Sequence, residues 1–268
     1  MEPIKEETNL AGGIVGGVTG AAVGGMLGTA LADLPLEGLI IGGLLGVVAG
    51  GLLLNGEQKR NEFPTGKQVD IYFNTHPPLS RYIEDKLKRG IKVEGNLHFL
   101  SNDEFVEECI EYITQHMNLD TGVHYSEEEA EELALGSSGY LFMRKIYINQ
   151  DKAHAGTVIH EAVHLFQEAR YAKELGRNIN EGTTEYFTRL LCDSHQLTRH
   201  PKYRLQYECI EQLVNLCGQE KLAEAYFLGN ISVLERVVDA TKGQRTFMKW
   251  KKLMEDRDFK EANQLLSQ

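Results

Sequence analysis

The H-E-A-V-H run at positions 160–164 constrains this chain more than any other feature. It lies in residues 155–172, which are rich in apolar side chains and contain no proline, so we predict a helix that ends by Gly176. His160 and His164 are one helical turn apart, so both imidazoles leave the same face. Two nitrogens placed in this way can bind one zinc ion, with Glu161 beside them as a candidate general base.

A second motif argues against a chance match, in which a helix would simply carry two surface histidines and a glutamate. Residues 180–185 read Asn-Glu-Gly-Thr-Thr-Glu and open another predicted helix, residues 181–192. Glu181 and Glu185 are one turn apart, so they share a face of that helix.

Together, the two motifs resemble the zinc peptidases called gluzincins, over residues 138–193. In that family the third zinc ligand is a glutamate on a second helix, often in an Asn-Glu context, and an acid one turn later holds a ligand histidine. The resemblance implies that His160, His164 and Glu181 bind Zn²⁺ and leave one position open for water. It also implies that Glu161 takes a proton from that water and that Glu185 orients a ligand histidine.

The spacing departs from the family's pattern, because only 16 residues separate His164 from Glu181. This separation is shorter than in the large gluzincin families and predicts a compact variant. The related metzincin pattern would need glycine at position 167 and histidine at position 170, where this chain has Gln167 and Arg170. The metzincin branch is therefore excluded.

Other polar residues near the motifs are weaker candidates as ligands. Glu168 is expected to point past the metal or to pair with Arg170 or a neighbouring turn, and His154 and His195 to be solvated or capping groups. Peptidases of this kind also need a donor that stabilises the oxyanion, usually a tyrosine or a histidine. The sequence does not choose among the candidates in the C-terminal part, which are Tyr203, Tyr207, Tyr226 and His200.

The charge balance and the cysteines exclude several classes of function. The 268 residues include 28 basic and 39 acidic side chains, a net charge of −11, which argues against a nucleic-acid partner. The four cysteines show no C-x-x-C pairing, so we expect neither a disulfide framework nor a cysteine metal site. A reducing folding compartment is the simpler interpretation.

Residues 10–54 differ in kind from the rest of the chain, with only two charges, Asp33 and Glu37, at their centre. Glycine recurs at every fourth position on both sides of these charges, at Gly12, Gly16, Gly20, Gly24 and Gly28 and then at Gly38, Gly42, Gly46 and Gly50. In water each glycine would cost a helix about 1 kcal/mol, but in a membrane a glycine row lets two helices approach closely. The segment resembles glycine-zipper two-helix membrane segments, and residues 10–32 and 36–54 are each about long enough to span a bilayer.

Two other interpretations of this segment stay open. An Ala-Leu-Ala sequence at positions 30–32 is similar to a signal-peptidase site, although the preceding residues 1–9 are acidic where signal peptides begin basic. A flexible linker would be polar, whereas this segment is rich in isoleucine, valine and leucine. If the segment is a hairpin, Lys59 and Arg60 just after it predict that the soluble domain lies on the cytoplasmic side.

We therefore divide the chain into a polar tail (1–9), a transmembrane hairpin (10–54), a linker (55–67) and a zincin-like metallopeptidase domain (68–268). Within this domain we predict strands at 69–74, 91–100 and 140–149, the last at a sheet edge or, alternatively, in the sheet interior. Helical patterns predict helices at 79–89, 103–117, 125–135, 201–216, 221–228, 232–241 and 245–255. The predicted fold class is α+β, with a small, mainly antiparallel sheet against the active-site helix and a helical C-terminal lobe.

The expected function is a zinc metallopeptidase that acts on a protein or peptide substrate and associates with a membrane through residues 10–54. Bacterial effectors with similar hairpins suggest a toxin or effector that is carried by a delivery system, or paired with an immunity protein, and inserts on delivery. A membrane-anchored housekeeping protease is the alternative setting. A membrane-inserting or scaffold protein with an inactive zincin domain is a further alternative, which the intact Glu161 disfavours.

Overall fold

The computed structural model describes residues 63–117, 124–199 and 202–267. This part of the chain is mostly helical, with a small three-stranded mixed sheet, which is compatible with the α+β class. The predicted tail at 1–9 and hairpin at 10–54 lie outside the described residues, as do residues 55–62 of the predicted linker. Within the described ranges, no helix is long and apolar enough to cross a membrane.

The elements alternate at first and then become wholly helical. The first part contains α1 (Gly66–Thr75), α2 (Pro77–Lys88), β1 (Leu97–Leu100), α3 (Asn102–Glu111) with a π-helical extension (Tyr112–Met117), α4 (Glu127–Leu135), β2 (Gly139–Phe142) and β3 (Lys145–Asn149). The second part contains α5 (Ala155–Leu165), α6 (Ala169–Ser194), α7 (Arg204–Cys217), α8 (Gln219–Leu228), α9 (Ser232–Lys242), α10 (Thr246–Glu255) and α11 (Phe259–Ser267).

The predicted strand at 69–74 is wrong, because these residues form part of α1. Thr65 caps this helix: its hydroxyl accepts the backbone N–H of Gln68 at 3.3 Å, while Gln68 Oε1 accepts the backbone N–H of Thr65 at 2.8 Å. Val69 and Phe73 are one helical turn apart and both are fully buried. A short alternating run does not distinguish a strand from a helix, and the burial of one helical face decides it here.

The sheet is mixed rather than mainly antiparallel, with strand order β1-β3-β2. β1 pairs with β3 in parallel, and β2 pairs with β3 antiparallel. The predicted strand at 140–149 is two strands, because Met143 and Arg144, at φ of 46° and 65°, form a tight turn between them. The edge prediction therefore holds only for β2, since β3 lies in the centre. Of the predicted strand at 91–100, only Leu97–Leu100 is a strand.

Three predicted helices in the first part are confirmed by α2, α3 with its extension, and α4. Ser101 caps α3 through a reciprocal pair with Glu104. Phe105 and Cys109 of α3 are fully buried and belong to a small core with Tyr140 of β2. The acidic helix α4 covers this core with its apolar face and keeps its glutamates in solvent.

The predicted helix at 155–172 is interrupted, so α5 and α6 are separate helices. Tertiary partners hold the connection: the backbone N–H of Glu168 donates to Tyr226 O at 3.0 Å, and its carboxylate accepts from Lys86 Nζ at 3.2 Å. Gly176 has a φ of 76° and breaks α6, in agreement with its predicted role as a helix end. The second part of α6 then packs against α5.

The C-terminal lobe is helical, as predicted, and consists of α7–α11. Gly218, Gly229 and Gly243 end three of its helices at positive φ. α7 begins at Arg204 rather than at position 201, and α11 was not predicted. Side chains of the lobe, including the fully buried Trp250, join α5 and α6 in the main core. The four cysteines are buried and form no disulfide, as expected.

Candidate metal centre

Helix α5 presents two histidines on one face inside the protein. Every residue of α5 is buried, which follows from the apolar side chains around the motif. His160 and His164 are 6% and 4% exposed, and their ring centroids lie 4.9 Å apart. Gly139 of β2 allows the sheet to approach, since a Cβ there would lie 3.0 Å from Thr157 Cγ2 and 3.2 Å from Glu161 Cγ. The motif is therefore enclosed between the sheet and α6.

Glu181, on the second part of α6, faces both histidines. Its Oε2 lies 3.4 Å from His160 Nε2 and 3.7 Å from His164 Nε2. Ligand atoms of a tetrahedral zinc ion, with bonds of about 2.0–2.1 Å, are about 3.3–3.4 Å apart. These three side chains, the triad, can therefore supply ligand atoms to a single ion.

Four candidate ligand atoms of the triad are buried without a well-formed hydrogen bond to the described residues. His160 Nε2, His164 Nε2 and both carboxylate oxygens of Glu181 are buried and make no hydrogen bond in the described structure. Buried polar atoms are normally hydrogen-bonded, and each unsatisfied one costs about 1–3 kcal/mol. Four such atoms close together fit a bound cation, and a set of two imidazoles and a carboxylate suits zinc.

Burial and the neighbouring charged side chains shift the pKa values of the triad in opposite directions. Burial lowers the pKa of His160, but the adjacent carboxylates of Glu181 and Glu185 outweigh it and raise this pKa to about 10. Burial raises the pKa of Glu181, but the two histidines outweigh it and lower this pKa to about 2. The site thus favours positive charge next to the Glu181 carboxylate, and a divalent cation would provide this charge in place of the imidazole proton.

Glu161 is buried beside the triad. It is 2% exposed, its Oε2 makes no hydrogen bond, and burial raises its pKa. Together with His160, Lys202 and Tyr203 it lines a small cavity of about 20 Å³. A space of this size can hold one water molecule. A carboxylate with a raised pKa at this position can accept a proton from that water.

Glu185 contacts the His160 ring at the nitrogen that does not face Glu181. Its Oε2 lies 3.6 Å from His160 Nδ1, and its Oε1 accepts a 2.7 Å hydrogen bond from Arg189 Nε. The Arg189 guanidinium also lies over the Tyr207 ring, 3.8 Å from the ring centroid. This series of contacts keeps Nε2 of His160 directed at Glu181, which is the type of support that orients metal-binding histidines.

Neutral side chains surround Nδ1 of the His164 ring, the nitrogen that does not face Glu181. His164 Nδ1 lies 3.4 Å from Gln167 Oε1 and 3.4 Å from Thr184 Oγ1. Gln167 Nε2 donates to Asn180 Oδ1, and Thr184 Oγ1 makes a 2.7 Å hydrogen bond with the Tyr226 hydroxyl. A proton on Nδ1, directed at these oxygens, would leave Nε2 of His164 free to bind a metal ion.

Among the oxyanion candidates, the structure brings Tyr203 to the centre. Its ring stacks on His160 with centroids 5.5 Å apart, and burial raises the pKa of its hydroxyl well above the usual value. Tyr226 is buried behind the triad, where its hydroxyl bonds a threonine. The Tyr207 hydroxyl donates to a glutamate one turn along α7. His200 lies outside the described residues.

The sequence analysis missed Lys202, which lines the same cavity as Glu161 and Tyr203. Its Nζ donates to Ser138 Oγ at 2.8 Å. Burial lowers the pKa of Lys202, and the carboxylates of the centre only partly oppose this shift. One lysine in a connection between helices carries no signal in the sequence, so only the folded structure identifies it.

The remaining polar candidates have other partners. Glu168 pairs with Lys86 at 3.2 Å and not with Arg170, because the break after α5 turns it towards α2. His154 is the N-cap residue of α5, which is one of the two roles expected for it. His195 follows α6 and stacks on a tyrosine of α1, with ring centroids 4.0 Å apart.

The chain matches no protein-family model, no curated protein and no solved structure. The comparison with the gluzincins is therefore an inference from the two sequence motifs. The structure itself shows three donors that can hold a cation, a second carboxylate beside a water-sized cavity, and a tyrosine stacked on the His160 ring.

Proposed function

We propose that this protein is a zinc-dependent peptidase in which His160, His164 and Glu181 hold the metal. The observation that carries this proposal is the set of buried, unsatisfied ligand atoms in the triad, next to Glu161 and a water-sized cavity. Among the described residues, no fourth histidine, cysteine or carboxylate joins the group. Structural zinc sites usually have four protein ligands, whereas three ligands and an open position are typical of catalytic zinc.

The chemistry divides between the metal and the residues around the cavity. Bound zinc supplies a Lewis acid that lowers the pKa of a water ligand to about 7. Glu161 takes the proton of the attacking water, a role that its unbonded Oε2 and raised pKa support, and passes it to the leaving amine. Tyr203 and Lys202 line the same cavity and are the donors available to the oxygen of the scissile carbonyl.

Strand β2 supports a polypeptide as the substrate. It is an edge strand of the described sheet and packs against α5. The outer N–H and C=O groups of an edge strand can pair with an extended polypeptide. A substrate bound in this way would run alongside the helix that carries Glu161 and the two histidines.

Zinc content and proteolysis, measured side by side on three variants, test the peptidase. The parent protein should hold about one zinc ion per chain. Glu161→Gln should keep the metal and lose about two to four orders of magnitude in rate, because it removes only the general base. Glu181→Gln should lose zinc, and Glu185→Gln should weaken zinc binding by about 10- to 100-fold.

Glu208→Gln, at a glutamate of α7 away from the cavity, is the matched control and should change neither quantity. Full activity in Glu161→Gln would show that the hydrolytic mechanism is wrong. If Glu181→Gln bound zinc as the parent does while Glu185→Gln lost it, the two glutamates would exchange roles. Zinc binding without hydrolysis of any peptide would favour a scaffold protein with an inactive centre.

We also propose that the enzyme is attached to a membrane. Residues 10–54, with the pattern of a glycine-zipper hairpin, would hold the peptidase at a membrane with its soluble domain on the cytoplasmic side. A small protease joined to such a hairpin suits a delivered effector or toxin. Full-length protein should partition with lipid or detergent, and a chain that lacks residues 1–59 should not. A full-length chain that is monodisperse without lipid, detergent or a carrier would contradict membrane association.

A further inference from the structure

A large cleft opens beside the candidate metal centre. It has a volume of about 760 Å³ and lies between the end of α2, the β2–β3 hairpin, the end of α5 and the start of α6. His164 and Gln167 belong to its wall, whereas His160 and Glu161 line the small cavity. The triad therefore contributes to both spaces, and a ligand in the cleft lies next to it. The volume is within the range of about 300–1,000 Å³ that is usual for ligand sites.

The wall of this cleft is basic although the chain as a whole is acidic. Five basic side chains and one acidic side chain line it, in a chain of net charge −11. The basic residues are Lys86, Arg89, Arg144, Arg170 and Lys173. A cleft lined by one sign of charge focuses the electrostatic potential and attracts ligands of the opposite sign.

Acidic side chains of the described ranges neutralise only part of this positive charge. Lys86 pairs with Glu168 at 3.2 Å, and Arg170 pairs with a glutamate one turn further along α6. The other three cations are exposed and have no acidic partner in the part of the chain that the structure describes. They come from three separate elements, the end of α2, the β2–β3 turn and α6, and all three line this cleft.

Apolar side chains line the cleft between the charges. They are Ile91, Leu141, Leu165, Ala169 and Ala172. A ligand that fills the cleft therefore needs apolar contacts together with negative charge. An extended polypeptide meets this need, because its side chains alternate and its backbone can follow β2, which contributes Leu141. A membrane surface is too flat to enter a cleft, and a nucleic acid lacks the peptide N–H and C=O groups that would pair with the edge of β2.

We propose that this cleft selects acidic polypeptide substrates, with aspartate or glutamate side chains near the bond that reaches the triad. The inference rests on the proposed peptidase function, because it names the substrate class of that site. Arg144 and Lys173 would bind the substrate carboxylates, since both are exposed in the cleft and pair with no acidic residue among those described.

The test measures binding to the full-length chain in detergent, loaded with zinc and carrying Glu161→Gln so that peptides are not cleaved. The probes are a fluorescent peptide of alternating glutamate and alanine and the same peptide with glutamine for glutamate. The acidic peptide should bind about tenfold more tightly, and added salt should reduce this advantage. Arg144→Glu with Lys173→Glu should abolish it. Arg236→Glu with Lys249→Glu, an equal charge change at exposed positions of α9 and α10, should preserve it.

Equal affinity of the Glu161→Gln chain for the two peptides would overturn the inference. So would an equal loss of the preference for the acidic peptide in both double variants. Two further probes are phosphatidylserine vesicles and a single-stranded oligonucleotide. If their binding depended on Arg144 and Lys173 while the peptides bound equally, the cleft would be a membrane or nucleic-acid surface. Thermal unfolding of each variant verifies that it is folded. Zinc content and peptide cleavage are measured separately on the parent chain, which keeps Glu161. If the parent chain binds no zinc and cleaves no peptide while the acidic peptide still binds selectively, the peptidase is refuted and the charge selectivity of the cleft is not.

Discussion

Glu181 and Glu161 form a matched pair for testing the metal centre by stability. Both are buried glutamates, 1% and 2% exposed, and both lie at the same centre. Substitution by glutamine keeps the volume of either side chain and removes its negative charge. We predict that zinc stabilises the parent and Glu161→Gln against unfolding, and that Glu181→Gln loses this stabilisation.

The size of this stabilisation follows from the difference between the folded chain, which would bind zinc, and the unfolded chain, which would not. Four buried atoms of the triad make no hydrogen bond among the described residues, so the proposed zinc would bind the folded chain at a site that the unfolded chain does not assemble. At a free zinc concentration of about 1,000 times Kd, binding stabilises the native state by about 4.1 kcal/mol. One kcal/mol shifts Tm by about 2–4 °C in a domain of about 150–250 residues, so we expect a rise of about 8–16 °C.

The assay is thermal unfolding followed by circular dichroism, at a buffered free zinc concentration and again with a chelator. The parent and Glu161→Gln should show the same zinc-dependent rise in Tm, since Glu161 is not a ligand. Glu181→Gln should show a small rise or none, because two histidines alone hold zinc weakly. An equal Tm with zinc and with chelator in the parent would refute the metal site. A rise that persists in Glu181→Gln and disappears in Glu161→Gln would show that the ligand is misassigned.

Three further predictions concern the surroundings of the triad. Tyr203→Phe should lower kcat in a peptide assay by about 10²–10³-fold, because it removes the hydroxyl proposed to stabilise the oxyanion. Tyr207→Phe should leave kcat unchanged in the same assay, since the Tyr207 hydroxyl bonds a surface glutamate. Arg189→Met should weaken zinc affinity by about 10- to 100-fold in a competition titration, because it leaves the buried Glu185 carboxylate without its 2.7 Å partner. Gly182→Ala should lower the free energy of unfolding by about 1–3 kcal/mol in urea titration, since a Cβ there would lie 2.9 Å from the backbone of the α7 helix.

The two motifs could be identified from the sequence because their geometry is local. One helical turn separates His160 from His164, and another separates Glu181 from Glu185, whatever the rest of the chain does. The same holds for the glycines that end helices, because a positive φ is a property of one residue and glycine adopts it without strain. Gly176 breaks α6 for this reason, and three glycines of the C-terminal lobe end their helices in the same way.

The sheet was predicted poorly because local patterns in that part of the chain are ambiguous. The run at 69–74 fits two periods, and the burial of Val69 and Phe73 on one face made it a helix. The turn between β2 and β3 is formed by Met143 and Arg144, both in the left-handed region. Neither residue is among the glycine, asparagine and aspartate that signal such a turn, so the sequence predicted one continuous strand.

The sequence by itself determined which residue types can form the triad, and the tertiary structure decided what surrounds it. Packing of α6 against α7 brings Tyr203 and Lys202 to the cavity, although nothing in the sequence distinguished Tyr203 from Tyr207 or Tyr226. The basic cleft likewise combines side chains from α2, the hairpin and α6. Such groups are far apart along the chain, and their meeting depends on how whole elements pack, which helical periodicity and single-residue preferences do not encode.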